Sequence, residues 1–227
     1  MRHFITSIAF ALFATISYAG SPGSPAGWQE GVHYTKLESV APRVTPPGTI
    51  EVVQVFRYSC SVCNAFEPHL VAWIARKPRD VAFVRIPVTW TQSDRAEARL
   101  FLTLHALHRE DLHQAVYDAF HKEKMRLNAP LQGDSMLLQA KFADAHGVRA
   151  DEFKRAFSSQ TIDQEITRAA QQVHRYRVTG TPSIVVDGKY TTSMGQAGGA
   201  EKLIALIDYL VALERRESTR RLSTVNR

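Results

Sequence analysis

Apolar residues along this chain change their period five times. Ile50 to Phe56 reads Ile-Glu-Val-Val-Gln-Val-Phe, almost continuously apolar and β-branched, which predicts a strand covered on both faces. Phe66, Leu70, Trp73 and Ile74 then recur every three or four residues, predicting a helix over 64–76 that Lys77-Pro78 stops and Pro68 kinks. Val81 to Val88 predicts the next strand, so strand, helix and strand form a right-handed parallel unit. Val32 to Leu37 predicts a short edge strand ahead of them.

For the next eighty residues or so only helical spacing is found. Asp94–His108, Asp111–Met125, Ser135–His146, Asp151–Phe157 and Thr161–Arg175 predict helices, with Ser93, Asp134 or Ser135, and Asp151 as N-caps and Gly147 as a C-cap. β-structure returns at Ser183–Val186, turns on Asp187-Gly188 as a two-residue hairpin, and continues through Lys189–Thr192. A last amphipathic helix is expected from Ala200 to Glu214, its stripe made by Leu203, Ile207, Leu210 and Val211. The pattern predicts an α/β domain, 28–90 and 176–214, interrupted by an inserted helical domain, 91–175.

The two ends differ from this body. Met1-Arg2-His3, an uncharged stretch from Phe4 to Ile16 and the small residues of Ser17-Tyr18-Ala19 have the layout of a signal peptide, removed after Ala19. A membrane-spanning helix needs about 20 apolar residues, more than this stretch offers. The protein is therefore expected to be exported and to start at Gly20. Residues 215–227 are polar, basic and aperiodic, which predicts a flexible, solvated tail. The net charge is +6, but with Arg2 and the tail set aside the body carries +1, so no nucleic-acid-binding face is implied. Contact of the tail with an anionic membrane surface stays open.

The candidate chemistry lies in Tyr58-Ser59-Cys60-Ser61-Val62-Cys63, which holds the only two cysteines of 227 residues. A C-x-x-C pair between a strand and a helix reads as a redox pair. At a helix start, amides without intrahelical acceptors and roughly half a positive charge from the macrodipole favour a thiolate on Cys60. Cys63, one turn further on, is the partner thiol. A structural staple is the alternative, yet closing so short a loop constrains the unfolded chain least. A zinc site is another, but the histidines lack suitable spacing to the pair, and no metal is expected. His105, His108 and His113 do not share one helix face and are expected to be solvated.

With Phe56-Arg57-Tyr58-Ser59 before the cysteines, Phe66-Glu67 after them, the helical interruption and Gly180-Thr181-Pro182-Ser183-Ile184-Val185-Val186-Asp187-Gly188-Lys189-Tyr190, the chain resembles the DsbA family of exported thiol:disulfide oxidoreductases over about 28–214. The resemblance implies a thioredoxin fold with an inserted helical domain. It also implies a reactive Cys60 and its partner Cys63, a cis-proline at Pro182 beside the sulfurs, and a Thr181 backbone that binds an extended substrate segment. Two departures stand out. Well-studied members of the family carry Pro-His where this chain has Ser61-Val62, and a buried acid where it has Gln54. Glu67 matches a family glutamate near the site, and a solvated place on the helix surface is the other reading of it.

The expected function is that of a monomeric periplasmic enzyme that gives its Cys60–Cys63 disulfide to folding exported proteins and needs no cofactor beyond that pair. A membrane quinone reductase of the DsbB type would re-oxidise it. A disulfide isomerase or reductase, and a thioredoxin-like metal chaperone, are the competing readings.

Overall fold

The computed structural model describes residues 27–129 and 132–225, so the expected signal segment 1–19 lies outside the described residues. A five-stranded sheet in the order β1-β5-β4-β2-β3 forms the frame. Its strands are β1 (Thr35–Lys36), β2 (Ile50–Phe56), β3 (Val81–Pro87), β4 (Ser183–Val186) and β5 (Tyr190–Ser193). β2 and β3 are parallel, joined through α1 (Ser61–Arg76), and the other pairs are antiparallel. Between β3 and β4 stand α2 (Gln92–Ala106), a short 3-10 turn (Glu110–Leu112), α3 (His113–His121), α4 (Gln132–Ala145), α5 (Ala150–Phe157) and α6 (Gln160–Arg175). The short α7 (Met194–Ala197) and the long α8 (Ala200–Val225) follow β5.

Strand alternation sorts the core. Ile50 and Val52 face one side of the sheet and Val53 and Val55 the other, because successive side chains of a strand leave opposite faces.

 Ile50 and Val52 pack with Phe66, Leu70 and Trp73 of α1 and with Leu203, Leu206, Ile207 and Leu210 of α8. Val53 and Val55 pack with Ala169 and Val173 of α6 and with Tyr176 just beyond it. β2 is buried along its whole length, as its continuous apolar run predicts. Trp73 donates to Asp208 at 2.7 Å and ties α1 to α8 across this layer. Truncating a leucine here, Leu210→Ala for instance, removes fully buried surface and costs about 2–5 kcal/mol.

A separate apolar cluster fills the insertion, with Leu100, Leu104, Val116, Tyr117, Phe142, Phe153 and Phe157 at its centre. Phe56, Tyr58, Cys60 and Cys63 belong to this cluster. The end of β2 and the start of α1 are therefore packed by the insertion.

Several local expectations need correction. Thr91, not Ser93, caps α2: its hydroxyl accepts the Asp94 N–H at 3.1 Å while the Asp94 carboxylate accepts the Thr91 N–H at 3.0 Å. An Asp at N3 closes this reciprocal box as a Glu would, and fixes the helix start two residues earlier. Asp151 lies inside the first turn of α5 and pairs with Arg155, and α4 begins before Asp134 and Ser135. Gly147, at φ +81°, does end α4, its N–H reaching the Asp144 carbonyl. In the hairpin, Asp187 and Gly188 both have positive φ, but Val186 pairs with Tyr190, so Lys189 is a third loop residue.

The tail is the largest correction. Residues expected to be flexible from 215 continue α8 as far as Val225. Arg215 makes a bidentate pair with Asp80, Arg221 pairs with the buried Glu214, and the Tyr190 hydroxyl donates to Glu217 at 3.1 Å. Partners distant in sequence hold a segment that has no apolar period of its own.

Candidate active site

β2 delivers the chain to Cys60 through a turn, Arg57 to Cys60, closed by the Cys60 N–H on the Arg57 carbonyl at 3.4 Å. Cys60 is the N-cap of α1, with extended backbone at φ −79° and ψ 111°. That conformation aims its sulfur back at the helix, where it accepts the Cys63 N–H at 3.2 Å. The first turn of α1 holds no acidic side chain to oppose the positive helix end. Both cysteines are free thiols here, Cys60 7% exposed and Cys63 not at all.

The two thiols are driven apart. A hydrogen bond from the Cys63 thiol is the largest influence on Cys60, and the Thr181 side chain and the Cys63 and Val62 amides add to it. Together they outweigh burial and bring the Cys60 pKa down to about 5. Burial, followed by the hydrogen bond it gives to Cys60 and the nearby Cys60 charge, pushes Cys63 far up. One sulfur is a ready thiolate and the other keeps its proton.

Across from the sulfurs, the Thr181–Pro182 peptide is cis, and the protonated Cys60 thiol reaches the Thr181 carbonyl at 3.4 Å. A cavity of about 620 Å³ opens beside it, lined among others by Val62, Arg177, Thr181, Pro182, Ser193 and Met194. Ser61 and Val62 are exposed at this edge. Cys60, Cys63, Thr181 and Pro182, singled out from sequence, are thus brought together.

Gln54 and Glu67 are not at the surface of the site but in a buried polar chain behind it. Gln54 accepts from Arg85 Nε at 3.1 Å, and Arg85 is ion-paired with Glu67. Glu67 faces His113 Nε2 at 3.7 Å, and His113 Nδ1 meets the Tyr58 hydroxyl at 2.9 Å. The solvated reading of Glu67 is overturned: it is 1% exposed, on the side of α1 turned toward β3 and α3. Burial raises its pKa, but His113 and Arg85 hold it below the usual carboxylate range. His113, expected in solvent, is buried against Phe56 and Tyr117, and burial lowers its pKa.

Sequence reasoning missed three residues that hold the turn ahead of Cys60. Asp94 pairs with Arg57 at 3.3 Å, Glu97 accepts the Ser59 N–H at 2.9 Å, and His121 binds the Tyr58 carbonyl at 2.7 Å. Asp94 and Glu97 are one helical turn apart, a spacing that surface carboxylates share, so only their burial marks them.

Comparison with known proteins agrees with the fold. Residues 79–210 match a DSBA-like thioredoxin domain. The thiol:disulfide interchange protein DsbA of Pseudomonas aeruginosa is 37% identical over 216 residues, which cover 95% of this chain and 98% of that protein. The protein of the same name from Azotobacter vinelandii is 37% identical over 206 residues, covering 90% and 92%. Among solved structures, Pseudomonas aeruginosa DsbA superposes with a TM-score of 0.80 at 36% identity, covering 86% of this chain and 98% of that one. The oxidoreductase DsbA from Xylella fastidiosa gives 0.73 at 30% identity, covering 81% and 95%.

Proposed function

The chain belongs to the DSBA-like thioredoxin family and is a thiol:disulfide oxidoreductase, and on that premise we propose that Cys60 and Cys63 are its redox pair and that it works as an oxidase. The carrying observation is the division of labour between the sulfurs: a thiolate-prone Cys60 at the head of α1 and a buried, proton-retaining Cys63.

Starting from the disulfide, a substrate thiolate attacks the Cys60 sulfur. The Cys60–Cys63 bond breaks, a bond from Cys60 to the substrate forms, and Cys63 leaves with the electron pair and takes up a proton. The substrate's second thiolate then attacks its own bound sulfur and expels Cys60 as a thiolate. The substrate is oxidised by two electrons and the pair is reduced by two. A low Cys60 pKa makes it the better leaving group and stabilises the reduced enzyme, so the disulfide is given away.

Thr181 and Pro182 form the edge along which an extended substrate segment adds as a short strand, over the cavity beside Val62. Ser61 and Val62 meet that substrate with a hydroxyl and a methyl face. Gln54 and Glu67 act at a distance, by fixing Arg85. The substrates are folding proteins exported with it to the periplasm after cleavage at Ala19. A membrane quinone reductase of the DsbB type would return the pair to the disulfide, and the electron balance asks for no further cofactor. The sheet with α1 and α8 supplies the chemistry, and residues 91–175 form the inserted domain that covers it.

Two measurements test the assignment. Cys60→Ser is expected to abolish oxidation of a reduced, unfolded substrate protein. Brief alkylation of the reduced enzyme is expected to label Cys60 ahead of Cys63; fast labelling mapped to Cys63 would exchange their roles.

A further inference from the structure

The turn that presents Cys60 has one middle peptide group, between Tyr58 and Ser59. Both of its polar ends are held, and neither by the sheet or α1. Its carbonyl is bound by His121 Nε2 of α3 at 2.7 Å, and since a carbonyl only accepts, that nitrogen carries the proton. Its N–H donates to Glu97 Oε2 of α2 at 2.9 Å. Rotation of the middle peptide is what interconverts the common β-turn forms, and it changes the backbone angles on both sides together. A peptide fixed at both ends cannot make that rotation without losing two hydrogen bonds.

Glu97 is unusual for a carboxylate. It is 1% exposed, and among the described residues no lysine or arginine forms an ion pair with it. Its second oxygen accepts from Asn128 at 2.7 Å. Burying a carboxylate without a cation is costly, and here the return is the hold on Ser59. One turn earlier on α2, Asp94 holds Arg57, the first residue of the same turn. Ser59 directly precedes Cys60, whose extended backbone is what lets its sulfur meet the Cys63 N–H.

We propose that Glu97 and His121 are positioning residues for Cys60: from two helices of the insertion they pin both ends of the Tyr58–Ser59 peptide group and so fix the turn that aims the Cys60 sulfur at the Cys63 amide. On this view the insertion sets the reactivity of the pair as well as covering it. The inference rests on Cys60 being the attacked sulfur.

The test uses Glu97→Ala, Glu97→Gln and His121→Ala, and three readouts: thiolate absorbance of the reduced protein against pH, the thiol–disulfide equilibrium with glutathione, and the melting temperature. Each alanine variant is expected to raise the Cys60 pKa and to weaken disulfide donation to glutathione by about tenfold, on the order of one lost charge-assisted hydrogen bond. Glu97→Gln is expected to stay within about twofold of wild type, because its amide oxygen still accepts the Ser59 N–H while Asn128 turns its own amide to match. Removal of the negative charge alone predicts the opposite sign, a lower Cys60 pKa in both Glu97 variants. If Glu97→Ala does not fold, His121→Ala, at a half-buried site, decides the matter with Glu97→Gln. A lowered melting temperature with an unchanged or lowered Cys60 pKa overturns the proposal. Rapid alkylation at Cys63 in the wild type would instead overturn the assignment of the pair, a separate failure.

Discussion

Cys60 and Cys63 show how a shared motif produces unlike residues. Cys60 receives hydrogen bonds that suit a thiolate, and Cys63 sits where none of its surface meets water. The consequence for stability has a definite sign. The folded Cys60 pKa of about 5 lies below the ordinary thiol value of about 8.5, so its contribution to the reduced form is fully present above about pH 8.5 and is lost as pH falls through about 5. Cys63 acts oppositely: its raised pKa begins to penalise the folded state above about pH 8.5. The reduced protein is therefore predicted to gain stability relative to the oxidised one from about pH 5 to about pH 8.5, at no more than about 1.4 kcal/mol per pH unit. Urea unfolding of both forms across that range checks it, and a difference independent of pH would show that Cys60 does not ionise in the fold. At this scale the redox residues were legible because C-x-x-C and Thr-Pro are local patterns. His113, Glu97 and His121 were not, and Glu67 was so only as one of two readings, since their burial depends on which helices meet around the start of α1.

Among elements, β2 and the strand before the hairpin could be read nearly residue for residue, because a fully buried strand and an Asp-Gly turn leave strong local marks. Helix starts were less legible: the Thr91–Asp94 box uses Asp in place of the usual Glu or Gln, and one pair of hydrogen bonds outweighs a nearby Ser93. The end of α8 was hidden for a different reason. Its hold comes from Asp80, Glu214 and Lys189, with no period in its own sequence. Glu214 is buried; Lys189 and Arg221 overcome the burial that would raise its pKa, and hold it below the usual range. Ending the chain after Glu217 removes Arg221 and the Ser218 hydroxyl from that carboxylate. The expected loss is about 1–3 kcal/mol in urea unfolding, with substrate oxidation unchanged. A truncated protein of wild-type stability would mean that these contacts contribute nothing.

For the molecule as a whole, the change from strand period to helix period and back was enough to anticipate an α/β fold with a helical interruption. What that pattern could not convey is that the interruption grips the turn ahead of Cys60. The strength of the oxidant is the property in which the parts meet. Thioredoxin, with a reactive thiol near pKa 7 and a potential near about −270 mV, and DsbA, near pKa 3.5 and about −120 mV, are reference values for relatives of this chain. Cys60, at about 5, falls between them. The helix start and the Cys63 amide are kept, while Val62 offers neither the charge nor the side-chain donor of a histidine. The most direct test is the thiol–disulfide equilibrium with glutathione, measured for the wild type and for Val62→His. The wild-type potential is expected at roughly −130 to −220 mV, with a shift upward in the variant, each 30 mV corresponding to about 1.4 kcal/mol. A wild-type value at or below about −270 mV would contradict the oxidase assignment and make the protein a reductase.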